Sequence, residues 1–157
     1  MVPAADIVAR FAEDLDALVE PRERLGMAVS GGPDSLALLL LAAAARPGKI
    51  AAATVDHGLR AESRAEAGFV AEVCNRLGIE HDILTVDWDE RPTSNVQARA
   101  REARYAALAE WAKSRGRAAV ATAHHADDQA ETLLMRLARG SGVSGLGGIE
   151  RDRPLVG

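Results

Sequence analysis

A chain of 157 residues, 48% hydrophobic and 27% charged, is long enough for one domain with a proper core and has the composition of a soluble globular protein. A net charge of -4 and an aromatic content of 3% exclude both an overall basic field for nucleic acid and an aromatic platform for single strands. The lone Cys74 excludes an internal disulfide or a CxxC metal knuckle, and the longest apolar run, Leu36 to Ala45, is about half a membrane span.

Met1 to Val8 carries Asp6 and no apolar core, unlike a secretory leader. A first helix is expected over Ala5 to Glu20, with Ile7, Phe11, Leu15 and Leu18 on one face, ended by Pro21. Leu25 to Val29 reads as a short strand and Asp34 to Ala45 as a helix closed by "RPGK". "KIAAATVDH" has the continuous apolar run of a buried parallel strand, and the next helix, Glu62 to Leu77, stops at Gly78. A third strand follows at His81 to Val86, then the loop "RPTSN" and a long helix from Asn95 to Ser114. "RAAVATAH" reads as a fourth strand, with a helix expected from about Asp127 to Arg139. "GSGVSGLGGIERDRPLVG" is glycine-rich without a period, and its final "RPLVG" reads as the opening of a further strand, cut short.

Strands alternating with helices predict parallel βαβ units in an α/β doubly wound, mostly parallel sheet with helices on both faces, Rossmann-like in plan. The expected division is a single domain over 1–157: an N-terminal helix to about 21, a βαβ core over 22–139, and a glycine-rich tail over 140–157. Ligands on such sheets bind beyond the carboxyl ends of the strands. "SGGPDS", "DHGLR" and "AHHADDQAE" all fall at such ends, which predicts one composite site.

In "SGGPDS", Gly31 and Gly32 allow close backbone approach, and the helix beginning at Asp34 directs its positive end at the loop. A phosphate fits there, with Ser30 and Ser35 adding hydroxyl donors and Asp34 able to hold a magnesium ion bridging phosphates. The alternative is a plain strand-to-helix turn with Asp34 and Ser35 as caps. The loop has no lysine and matches neither GxxxxGK[ST] nor GxGxxG. In "DHGLR", Asp56 and His57 suit a ribose or base and Arg60 a phosphate, or the segment is a capped turn. Gln97, Arg101 and Arg104 share one helix face, as a paired-guanidinium phosphate grip or as a solvated face paired with Glu102 and Glu110. His124, His125, Asp127, Asp128 and Glu131 crowd eight positions. On the expected helix, Asp128 and Glu131 share the face toward the sheet end, where carboxylates can hold an ammonium group. Simple helix capping and zinc ligation are the alternatives.

"SGGPDS" resembles the SGGxDS signature of the PP-loop ATP pyrophosphatases, which cleave ATP between the α and β phosphates. "VDHGLR", "NVQARAREARY" and "AHHADDQAETLLMRLARGSGVSGLGGI" are similar, in order and spacing, to the tRNA(Ile)-lysidine synthetases within that group, over about Leu25 to Ile149. The resemblance implies a ligase in the cytoplasm that uses ATP and Mg2+ to join free L-lysine to the wobble cytidine of tRNA(Ile) with a CAU anticodon. It implies an ATP site on Ser30, Gly31, Gly32, Pro33, Asp34, Ser35, Asp56, His57 and Arg60. The catalytic set it implies is Asp34, Arg101, Arg104, His124, Asp128 and Glu131, and Arg139, Gly140 and Ser141 form a loop near the reaction centre. The resemblance implies that family members continue into further tRNA-holding domains, and the expectation is that the chain as given lacks them. The other readings are an isolated ATP-binding domain with little activity alone, or a tRNA-thiolating or amide-forming PP-loop enzyme. No membrane partner is expected, and a homodimer is one arrangement the sequence admits.

Overall fold

Alternating apolar runs and helical periods close into one six-stranded sheet. The computed structural model describes residues 3–58, 62–88, 93–126, 129–136 and 152–154, with 62, 124–126, 129–136 and 152–154 as backbone only. The elements are α1 (Ala5–Asp16), β1 (Leu25–Ala28), α2 (Pro33–Ala45), β2 (Ile50–Asp56), α3 (Glu62–Leu77), β3 (Glu80–Thr85), α4 (Val96–Ser114), β4 (Ala119–Ala126), β5 (Gln129–Arg136) and β6 (Asp152–Pro154).

The strand order is β3-β2-β1-β4-β5-β6, and β3, β2, β1 and β4 run parallel. The chain winds outward from β1 to β3 through α2 and α3, then returns through α4 to β4 on the other side of β1. The period of two along each strand separates two cores. Leu25 and Met27 of β1, Ile50 and Ala52 of β2, and Ala119 and Ala121 of β4 pack with Leu15, Leu39, Val70 and Cys74 from α1, α2 and α3. Ala51, Ala53 and Val120 face the other way, onto Tyr105, Leu108, Trp111 and Ala112 of α4. The doubly wound, mostly parallel plan expected from sequence is the one observed. Helix α2 is apolar on nearly every side because it lies between the sheet and α1. Burial raises the Cys74 thiol to about 11, so it stays a protonated core side chain.

Three local expectations change. Helix α1 ends at Asp16 rather than Glu20, and Ile7 is 51% exposed. The buried Arg46 guanidinium holds the chain beyond this end: it pairs with Asp16 and donates to the free carbonyls of Val19 (3.0 Å) and Glu20 (2.9 Å). Where a helix was expected over Asp127 to Arg139, residues 129–136 form β5, antiparallel to β4. Ala, Glu, Leu and Met there favour helix locally, and an eight-pair ladder with β4, Ala119 opposite Arg136 through Ala126 opposite Gln129, overrides that preference. A further strand does occur near the expected "RPLVG", as β6, parallel to β5.

The edge strand β3 carries a titratable group in its packing. His81 is partly buried, with Nε2 2.9 Å from Thr54 Oγ1. Burial lowers its pKa below the ordinary 6.5, with the Asp82 charge opposing. The unfolded chain therefore takes up the proton more readily than the folded one. This contribution to stability is complete above 6.5 and is lost as pH falls through the lowered folded value. Urea unfolding at a series of pH values should show that acid-side loss, and His81→Gln should flatten it.

Candidate nucleotide-binding site

The return of the chain to β4 makes the carboxyl ends of β1 and β4 the point where strand order reverses, the usual ligand crevice of an open α/β sheet. The loop after β1 lies at that point. Val29, 2% exposed, extends β1 by donating its N–H to Ala53 O at 2.9 Å, and the chain then turns outward at Ser30.

Gly31 has φ +91°, in the left-handed region that side chains resist. Gly32, the N-cap of α2, has φ -71° and ψ 159°, which any residue adopts. A Cβ on Gly32 would meet only Ser30 Oγ, at 3.7 Å. The fold thus explains the first glycine and leaves the second to the open space over the helix end. Gly32→Ala is expected to change stability by less than about 1 kcal/mol and to weaken ATP binding about tenfold or more. Thermal unfolding beside calorimetric ATP titration checks both.

Pro33 occupies the first position of α2, where its missing N–H costs nothing and its φ is pre-set. Ser35 is 4% exposed. Its hydroxyl donates to Gly32 O at 2.9 Å and accepts from Ser30 N (3.2 Å) and Ser30 Oγ (3.3 Å). Ser35 therefore closes the loop from inside, and Ser30 is the exposed hydroxyl. Gly32, rather than Asp34 or Ser35, is the N-cap residue of α2. Asp34 stands in the first turn, partly exposed, at the positive end of the helix.

Asp56 ends β2 at 9% exposure, and its Oδ1 accepts the Gly58 N–H at 2.9 Å, with Gly58 at φ +63°. Its carbonyl accepts the Val86 N–H at 2.9 Å, and the His57 carbonyl accepts the Trp88 indole N–H at 2.8 Å. His57, Gly58, Val86, Asp87 and Trp88 line an open recess of about 200 Å³ beside this turn. Sequence reading singled out Asp56 and His57 and missed Trp88. Its one signal was a tryptophan just past a strand in an aromatic-poor chain.

Helix α4 starts after β3, so its first turns lie at the same end of the sheet. Arg101 is exposed, with its guanidinium 5.3 Å from the Tyr105 ring centroid, a cation–π contact. Arg104 is partly exposed one turn on. His124 lies in β4, paired in register with Glu131 of β5. The two are register partners in the ladder, and Glu131 lies on a strand where a helix was expected. Arg60, Asp128, Arg139, Gly140 and Ser141 lie outside the described residues, as do the side chains of His124 and Glu131. Among the described residues no cluster of three His, Cys, Asp or Glu forms a metal site.

Residues 4–157 match the PP-loop domain family. The chain belongs to the PP-loop domain family. Among its relatives is a tRNA(Ile)-lysidine synthase of Novosphingobium aromaticivorans, 57% identical over 149 residues, covering 95% of this chain and 45% of that protein. One of Zymomonas mobilis is 56% identical over 129 residues, covering 82% of this chain and 39% of that protein. The PP-loop chain thus spans less than half the length of these relatives. Solved PP-loop neighbours share the fold at low identity. The U34-tRNA thiolase NcsA from Methanococcus maripaludis has a TM-score of 0.62 at 16% identity, over 74% of this chain and 45% of that one. An NH3-dependent NAD synthetase from Campylobacter jejuni has a TM-score of 0.57 at 15% identity, over 73% and 54%. No helix among the described residues is long and apolar enough to cross a membrane.

Proposed function

We propose that this PP-loop domain binds ATP and serves tRNA(Ile)-lysidine synthesis, the joining of free lysine to C2 of the wobble cytidine of a CAU-anticodon tRNA(Ile). The observation that carries the reading is the Ser35-closed glycine turn at the β1/β4 switch point. The relatives named tRNA(Ile)-lysidine synthase support the choice of reaction.

The ATP phosphates rest against the loop of Ser30, Gly31, Gly32, Pro33, Asp34 and Ser35, at the positive end of α2. Asp56 and His57 shape the nucleoside side, with Arg60 toward phosphate. The cytidine O2 attacks the α phosphorus, forming an O–P bond as the bond to pyrophosphate breaks. The lysine ε-amine then bonds to C2 as the C2–O bond breaks, releasing AMP and losing a proton. Arg101, Arg104 and His124 offset the charge on the phosphates, and Asp128 and Glu131 hold the lysine ammonium and take its proton. Arg139, Gly140 and Ser141 contribute near the reacting atoms.

Among the described residues of the loop, Asp34 in the first turn of α2 is the carboxylate that would hold a phosphate-bound magnesium ion. Such an ion supplies charge neutralisation of the departing pyrophosphate. The chain is proposed to act as one domain in the cytoplasm.

Incubation with α-labelled ATP, magnesium, lysine and the CAU tRNA, omitting each in turn, tests this. Label should reach RNA when tRNA is present, and its release as AMP should require lysine. ADP as the product, or AMP independent of tRNA, would overturn the reaction. Failure of saturable ATP binding would overturn the site.

A further inference from the structure

We infer that Trp88 is a positioning residue for the nucleotide-facing turn, acting through the His57 carbonyl. The inference rests on the ATP-binding reading above and adds to it a residue outside the sequence motifs.

The turn 56–58 leaves the sheet at its ligand end, where hydrogen bonds from Gly58, Val86 and Trp88 hold it. Gly58 N–H bonds Asp56 Oδ1, which fixes the turn to its own strand. Val86 N–H bonds Asp56 O, one step past the last β2–β3 pair, Asp56 with Thr85. The third hold is the Trp88 indole N–H on His57 O, at 2.8 Å and 31 residues away in sequence. The Gly58 N–H and the His57 carbonyl belong to one planar peptide, so Asp56 and Trp88 hold that unit from its two ends.

Gly58, at φ +63°, lets the chain turn here, and the direction of the 57–58 peptide is set jointly by the Asp56 carboxylate on its N–H and the Trp88 indole on its carbonyl. An indole suits that task because its ring is rigid and its N–H can only donate. The ring also forms one wall of the recess that His57, Gly58, Val86 and Asp87 complete. A molecule seated at the turn therefore changes the surroundings of Trp88. Trp111, the other tryptophan, is 5% exposed between α4 and the sheet and stands apart from the recess.

The two tryptophans permit a test that needs no turnover. With 5-fluorotryptophan incorporated, fluorine NMR gives one resonance from each, separated by the greater solvent isotope shift of the more exposed Trp88. ATP is the probe, and its binding is measured in parallel by calorimetry. The expected result is a shift of the Trp88 resonance at saturating ATP while Trp111 is unmoved. Trp88→Phe keeps an aromatic ring and removes the donor, and should weaken ATP binding about tenfold. Trp88→His retains an N–H on a ring and should recover part of that loss. ATP binding that leaves the Trp88 resonance in place, or that is unchanged in Trp88→Phe, overturns the inference and leaves the ATP reading standing. No ATP binding by the unmodified protein overturns both.

Discussion

Asp34→Ala is expected to lower AMP formation from ATP by about a hundredfold or more while leaving the fold in place. The asymmetry follows from where the residue stands. Asp34 lies in the first turn of α2 and is partly exposed, whereas the core of that helix is built by Leu38, Leu39 and Ala42. Removing a carboxylate from a helix start costs about 0.3–1 kcal/mol of dipole stabilisation. Losing a metal that neutralises a leaving phosphate costs several kcal/mol of barrier, and about 1.4 kcal/mol is tenfold in rate. The measurement is AMP release from α-labelled ATP beside thermal unfolding of the same preparation. ATP affinity should also lose its dependence on magnesium. Normal turnover in this variant would remove Asp34 from the metal role, and parallel loss of folding and activity would make it structural.

Reading the loop in sequence finds a turn between strand and helix but cannot distribute its roles. Two serines and two glycines look equivalent in "SGGPDS". Folded, they separate: Gly31 satisfies a dihedral, Gly32 leaves space, Ser35 bonds inward and Ser30 faces outward. These differences depend on hydrogen bonds that exist only once α2 has started. Elements closed by local chemistry were legible. Helix α3 ends at Leu77 as expected because Gly78, at φ +67°, allows the Ile79 N–H to bond Cys74 O at 2.9 Å. Features set by distant partners were not. The "RPGK" arginine reads as a loop residue, yet Arg46 is buried and holds the chain at the end of a helix 26 to 30 residues earlier. Trp88 answers to a backbone carbonyl 31 residues away, and β5 to a ladder with β4 that outweighs its own helical composition.

The same distinction underlies the largest structural effect expected of a single methyl group. Gly26 sits inside β1, where a glycine signals close approach by something, though the sequence does not say what. The structure supplies Trp111. A Cβ on Gly26 would lie 2.5 Å from Trp111 Cζ3, 3.0 Å from Cη2 and 3.2 Å from Val120 Cγ2. The indole cannot swing aside cheaply, because its N–H donates to Asp82 Oδ2 at 2.7 Å and the ring is buried against the sheet. Overpacking of this kind costs about 1–3 kcal/mol, and in a chain of this size each kcal/mol lowers the unfolding midpoint by about 2–4 °C. Gly26→Ala should therefore unfold well below the unmodified protein, by a few degrees to about ten. Trp111→Phe should also destabilise, since it leaves Asp82 without the indole donor and opens space beside β1. Combined, the two should cost less than their sum, because the smaller ring vacates the volume that the new methyl needs. A strictly additive pair would mean that the strain at Gly26 is relieved elsewhere, by movement of β1 against Val120 rather than by the ring.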